Sequence, residues 1–213
     1  MPADLRGRLL DRAARERLEL NERLVSGFVS YLDVLQHWNR KINLTSLSDP
    51  DEAVDRLVLE PLAASSALPR GRGLADLGSG GGSPAIPLAL ALETPHLLMV
   101  ESRSRKAAFL REASRIVGLN ATVEAARFEE AASRPDYKSS FDAVSIRAVR
   151  LDSSALESAA ALLRPAGLVA LFRGPDGPER PDALPPDLAW RETRPLLRST
   201  RSRLSVLFHV EQS

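Results

Sequence analysis

The chain has 213 residues, 44% hydrophobic and 27% charged, with 29 Lys and Arg against 28 Asp and Glu. That composition suits one globular domain with a real core and excludes wholesale disorder, and no run of ~18 apolar residues suits a membrane span. There is no cysteine, which excludes disulfides, thiolate metal sites and a cysteine nucleophile, and the start lacks the apolar core of a signal peptide, so a cytoplasmic protein is expected.

Residues 1–68 read as helical. Leu24, Phe28, Leu32 and Leu35 stand at offsets of 0, 4, 8 and 11, with Val25 and Val29 beside them, and form one apolar stripe. WNRKINLTSL (38–47) reads as a polar loop. Asp49-Pro50-Asp51-Glu52 marks a helix start: a capping oxygen, proline at the first position, then acids at the positive end of the dipole. That helix is expected to run toward Ala67, with Pro61 as a kink or break.

From residue 73 the period changes. GLADLG (73–78), LLMVE (97–101), ATVEA (121–125), FDAVSI (141–146) and GLVALF (167–172) read as short strands, with helices at 84–92, 103–117 and 153–163 between them. In the second helix Ala107, Leu110, Ser114 and Val117 share a face, and Gly118 supplies a left-handed stop. Alternating strands and helices predict a parallel sheet covered on both faces. GPDGPERPDALPPD (174–187) reads as a loop, and 188–196 with 203–211 as an antiparallel hairpin at a sheet edge. The expected organisation is a helical cap, 1–68, on a domain of 69–213, the two forming one compact unit.

The stretch LADLGSGGGSPAIPLALA (74–91) places Gly78, Gly80 and Gly82 just beyond the first strand, where doubly wound folds bind ligands. Ser83 and Pro84 read as N-cap and first helical residue. The missing Gly-Lys-Ser/Thr ending, with no lysine in the stretch, argues against a triphosphate loop. A dinucleotide fingerprint is imperfect, because Ser83 stands where its third glycine would. Glu101 ends the second strand 23 residues after Gly78, where an acid grips two ribose hydroxyls. Asp76 separates the adenosyl cofactors: its carboxylate repels a pyrophosphate but suits S-adenosylmethionine, which carries an ammonium, a sulfonium and no phosphate. The bland alternative, a turn capped by Asp76, stays open beside this.

Two segments are basic. Residues 102–115 carry Arg103, Arg105, Lys106, Arg111 and Arg115 against Glu112, and residues 191–203 carry Arg191, Arg194, Arg198, Arg201 and Arg203 against Glu192. They fit either a polyanion-binding face or a solvated surface with a charge-protected strand edge. His37, His96 and His209 are scattered and read as structural, with no metal expected.

WNRKINLTSLSDPDEAVDRLVLEPL (38–62), DLGSGGGSPAIPLAL (76–90), VESRSRKAAFL (100–110), ARFEE (126–130) and FDAVSIRAV (141–149) follow the order found in the glucose-inhibited division protein B family, which the chain resembles over residues 20–210. Members are bacterial methyltransferases of small-subunit (16S) ribosomal RNA that modify guanine at N7. The resemblance implies an α/β, Rossmann-like class I methyltransferase: a mostly parallel seven-stranded sheet, an antiparallel C-terminal hairpin and an N-terminal helical cap. It also implies S-adenosyl-L-methionine as cofactor, small-subunit ribosomal RNA or the small subunit as partner, and a monomer without metal or membrane.

Carried over residue by residue, Gly78, Gly80 and Ser83 would line the methionine side of the cofactor, with Asp76 beneath. Glu101 would hold the ribose, and the backbone around Phe128 and Glu129 would lie along the adenine. Arg127 and Arg147 match basic positions of the active cleft, Arg147 serving either the base or the cofactor carboxylate. Asn43 matches an asparagine that reads the base or orders its own loop. Arg103, Arg105 and Lys106, with Arg201 or Arg203 at the last strand, are the candidate RNA contacts. The chain departs from the family loop Gly-Leu-Pro-Gly-Ile-Pro at Ser83 and Ala85, has Leu57 where histidine is common, and has Arg173-Gly174 where the fifth strand usually ends in Lys-Gly. Guanine N7 has an in-plane lone pair and no proton, so transfer needs alignment rather than a base, and well-held geometry supplies ~7–11 kcal/mol. A methyltransferase of small molecules or proteins, a dinucleotide-dependent oxidoreductase and a non-catalytic RNA-binding module remain as alternatives.

Overall fold

The computed structural model describes residues 4–148, 152–174 and 183–210, so most of the expected 174–187 loop lies outside the described residues. Helix α1 (Leu5–Glu16) is capped by Asp4, and α2 (Glu22–Asn39) by Asn21, whose side chain accepts from the Leu24 N–H at 2.9 Å. The α2 stripe faces inward, with Leu24, Val25, Phe28, Tyr31, Leu32 and Leu35 buried. The helix takes in Trp38 and Asn39, so the loop begins two residues later than WNRKINLTSL suggests.

Asp49 caps α3 (Pro50–Val54) by accepting from the Glu52 N–H at 2.8 Å. The expected kink at Pro61 takes a specific form. The chain widens into a π-helical turn, Asp55–Leu59, and continues as α4 (Glu60–Ser65) with right-handed helical backbone at both joints. The Glu60 N–H reaches the Asp55 carbonyl, five residues back, and proline has no N–H to give.

The sheet comprises β1 (Leu74–Leu77), β2 (Leu97–Val100), β3 (Ala121–Glu124), β4 (Phe141–Arg147), β5 (Leu163–Arg173), β6 (Leu188–Pro195) and β7 (Arg203–His209). Its order is β3-β2-β1-β4-β5-β7-β6, parallel through β5, with β7 antiparallel to both neighbours. The intervening helices are α5 (Ala85–Leu92), α6 (Ser104–Val117), α7 (Phe128–Ser133) and α8 (Ser153–Leu162). Gly118 ends α6 at φ +73°, as its position predicts.

Strand alternation divides the core. Leu97 and Met99 join α2, α5 and α6 on one face, and Leu98 and Val100 join α8 on the other. Phe28, Tyr31, Val58 and Leu59 of the N-terminal helices share the first layer with Leu74, Ile86 and Phe109. β1 and β2 are buried along their whole length, as a covered parallel sheet requires. The strand order reverses at β1 and β4, and a crevice opens there at the carboxyl ends.

Candidate active site

A cleft of about 680 Å³ occupies that crevice. Gly78, Ser79, Gly80, Gly81 and Ser83 enter it after β1; Glu101, Ser102, Arg103 and Lys106 after β2; Ala126, Arg127, Phe128 and Glu129 after β3. Arg147, Ala148 and Asp152 follow β4, and Leu35, Leu44, Thr45 and Leu57 come from the N-terminal helices and their loop.

The glycine loop is held from both ends. The Gly78 and Ser79 N–H groups both donate to the Val100 carbonyl, at 2.9 and 3.0 Å. Gly78 and Gly80 have φ of +75° and +51°, so the chain turns where a side chain would strain it. Below the loop the buried Tyr31 hydroxyl donates to the Gly81 carbonyl at 2.7 Å, and burial pushes its pKa up. Gly82 shares that backbone, at φ +83°, and serves packing as well: a Cβ there would stand 2.8 Å from Ile86.

Two acids sit at different depths. Glu101 lines the cleft, its Oε2 accepting from the Gly80 N–H at 2.9 Å and its Oε1 from the Arg103 N–H at 2.8 Å. Each oxygen keeps a lone pair for a ligand. Asp76, only 1% exposed, lies under the loop and is not part of the cleft lining. Burial pushes its pKa up to about 6, although its carboxylate accepts from the Ser145 hydroxyl at 2.5 Å.

Arg147 ends β4 with its side chain 14% exposed. One Nη donates to the Arg56 carbonyl at 2.5 Å, the other pairs with the carboxylate of Glu60, and the Phe172 ring centre lies 5.5 Å from the guanidinium carbon. Burial lowers the pKa of Arg147 and the Glu60 charge raises it.

Ser83 is not the cap its position predicts. α5 starts at Ala85, Pro84 stands at the cap position after a cis peptide, and no side chain caps the helix. The Ser83 hydroxyl instead donates to the Leu57 carbonyl at 2.9 Å. In an α-helix that carbonyl would accept from residue 61, which is proline.

The structure thus brings Gly78, Gly80, Ser83, Glu101, Arg103, Lys106, Arg127, Phe128, Glu129 and Arg147 to one cleft. Asn43 is exposed and outside the lining, and among the described residues the side-chain hydrogen bonds of its loop come from elsewhere. Asn39 ties that loop down: its Oδ1 accepts from the Leu44 and Thr45 N–H groups at 2.8 and 3.0 Å, and its Nδ2 donates to the Thr45 carbonyl at 3.1 Å. Arg105 and Arg201 are exposed away from the lining, while Arg203 opens β7 opposite Arg173. Sequence reasoning missed the apolar wall of Leu35, Leu44 and Leu57 and the supports Tyr31 and Glu60. The available signals were a polar tip on an apolar stripe and an acid inside LVLEPL.

Chemically, a glycine-rich turn, a tethered carboxylate and a buried acid below them suit a ligand that combines a diol with positive charge. The model of the family GidB, described as rRNA small subunit methyltransferase G, matches residues 25–182. The ribosomal RNA small subunit methyltransferase G of Stenotrophomonas maltophilia (strain K279a) is 37% identical over 178 residues, covering 83% of this chain and 82% of that one. Its namesake from Rhodospirillum centenum is 42% identical over 146 residues, covering 68% and 65%. Among solved structures, TYW2 of M. jannaschii in complex with AdoMet superposes with a TM-score of 0.53 at 15% identity, over 71% of this chain and 75% of that one, a likeness of fold.

Proposed function

The chain belongs to the GidB family, rRNA small subunit methyltransferase G, and on that premise we propose that its cleft transfers a methyl group from S-adenosylmethionine to N7 of a guanine. The methyl donor and the small-subunit ribosomal RNA follow from the family. The atom methylated and the role of each residue are inferred from the site.

The residues present fit the donor. Gly78 and Gly80 leave room for close backbone approach, and the Glu101 oxygens, already aimed by two N–H groups, hold the ribose hydroxyls. Phe128 and Glu129 flank the adenine, and Asp76 supplies negative charge from beneath. When bound, the donor supplies an electrophilic methyl carbon on a sulfonium. Leu35, Leu44 and Leu57 wall the cleft with apolar surface and exclude water, while Arg147 orients the base through its O6 edge, leaving N7 free. N7 carries no proton, so the tethering of Glu101 costs nothing in base catalysis. Arg103, Lys106 and Arg127 meet RNA phosphates along the wall. Residues 1–68 act as a cap on 69–213 within one compact cytoplasmic monomer.

One pairing carries the assignment: a tethered acid, Glu101, and an aimed guanidinium, Arg147, in a single cleft. The test is transfer of labelled methyl from S-adenosylmethionine to small ribosomal subunits, stripped RNA, free nucleosides and peptides. Label recovered as 7-methylguanosine from subunits or RNA supports the proposal. Label on a peptide, a nucleoside or another atom of the RNA contradicts it.

A further inference from the structure

We propose that Glu60, together with the π-helical turn ahead of Pro61, is the positioning device for Arg147, fixing the guanidinium at the cleft wall without touching substrate. The proposal rests on reading that cleft as the place of methyl transfer.

Glu60 is the one charged residue in LVLEPL, and its side chain is 0% exposed. Its Oε2 pairs with Arg147, while its Oε1 is buried without a hydrogen-bond partner among the described residues. A half-satisfied buried carboxylate is a poor source of stability, and a well-packed apolar residue would serve the fold at least as well. What the ion pair does supply is position: one charge-assisted contact to Glu60 and a second bond to the Arg56 carbonyl hold the two Nη atoms of the guanidinium at separate points.

The backbone beside Glu60 works to the same end. Pro61 has no N–H, so the Leu57 carbonyl lacks its α-helical donor. The Glu60 N–H is drawn back to Asp55, so the Arg56 carbonyl loses its α-helical donor as well. Both carbonyls are then taken by residues of the cleft: Leu57 by the Ser83 hydroxyl at 2.9 Å and Arg56 by Arg147 at 2.5 Å. An interrupted helical ladder has become an acceptor pair for the loop and the arginine. The Phe172 ring covers a further side of the guanidinium. Arg147 is thereby held before any ligand arrives, and donors of its fork remain for the base.

Two substitutions separate positioning from stability. Pro61→Ala returns an N–H to the helix, which competes for the Arg56 and Leu57 carbonyls while strengthening the helix itself. We expect its urea midpoint at or above wild type, its affinity for S-adenosylmethionine within ~2-fold, and its single-turnover methylation of small subunits down ~10-fold, since misplacement by an ångström costs up to ~100-fold. Glu60→Gln removes the charge that aims Arg147 and is expected to lose ~30-fold in rate. In the Arg147→Ala background, however, Glu60→Gln should cause no further loss, because the two residues act as one unit. If Pro61→Ala retains the wild-type rate, or if the Glu60→Gln loss multiplies that of Arg147→Ala, the positioning role is overturned. Should Glu60→Gln fail to fold, Pro61→Ala decides alone. A wild-type protein that labels no RNA overturns the assignment of the cleft instead, so the two failures are distinct.

Discussion

Ser145 donates to the Asp76 carboxylate at 2.5 Å beneath the glycine loop, and among the described residues that carboxylate has no ion pair. Burial dominates its titration and pushes it up to about 6. The folded protein therefore retains a proton that the unfolded chain releases, and Asp76's contribution to stability is complete at low pH and lost as pH rises through 6. At neutral pH an ionised acid is held in wait for a cation.

Asp76→Asn should accordingly raise the stability of the ligand-free protein at pH 7 by ~1–3 kcal/mol and flatten the fall in stability between pH 4 and 6, read from urea unfolding at stepped pH. Binding of S-adenosylmethionine should tighten ~10-fold from pH 5 to pH 7 in the wild type and not in Asp76→Asn, as calorimetry would record.

Tyr31→Phe removes the hydroxyl that supports the Gly81 carbonyl and leaves that half-buried acceptor without its donor. A loss of ~1–2 kcal/mol in urea unfolding is expected, with a severalfold weaker affinity for the methyl donor. An unchanged midpoint would mean that the loop needs no support from α2.

The loop at 40–48 separates two asparagines. Asn39→Ala withdraws the acceptor shared by Leu44 and Thr45 and should cost ~1–3 kcal/mol. Asn43→Ala removes an exposed side chain and should stay within ~0.5 kcal/mol of wild type. Any methylation defect in Asn43→Ala therefore reports on RNA rather than on folding.

These asparagines also show where the sequence is legible and where it is not. Asp49-Pro50 and Gly118 act within one turn of the backbone they shape, and both do in the structure what their types and positions predict. Apolar runs such as LLMV find a covered parallel sheet because burial on two faces leaves no other home for them. Ser83 departs from its local signal because its partner, the Leu57 carbonyl, lies 26 residues away and is free only through Pro61. Asn39 carries no local signal, because it ends a helix and bonds forward into a loop whose path no local rule supplies. The six-residue α7 is too short to show a period, and Phe128 and Glu129 stood out only through resemblance. Glu60 pairs with Arg147 across 87 positions, a distance no pattern spans.

RNA binding tests the wall of the cleft. Arg103 and Lys106 line it, whereas Arg105, exposed in α6, is not part of the lining. Alanine at Arg103 or Lys106 should lower the slope of log affinity against log salt by ~1 each, measured on small-subunit RNA. Arg105→Ala should alter it less.

The central claim is tested most directly by reading small-subunit ribosomal RNA base by base for 7-methylguanosine, from cells with and without this chain. The account predicts that one guanine loses its N7 methyl group when the chain is removed, that wild type restores it, and that Arg147→Ala does not. Identical methylation maps, or restoration of the full signal by Arg147→Ala, would contradict it.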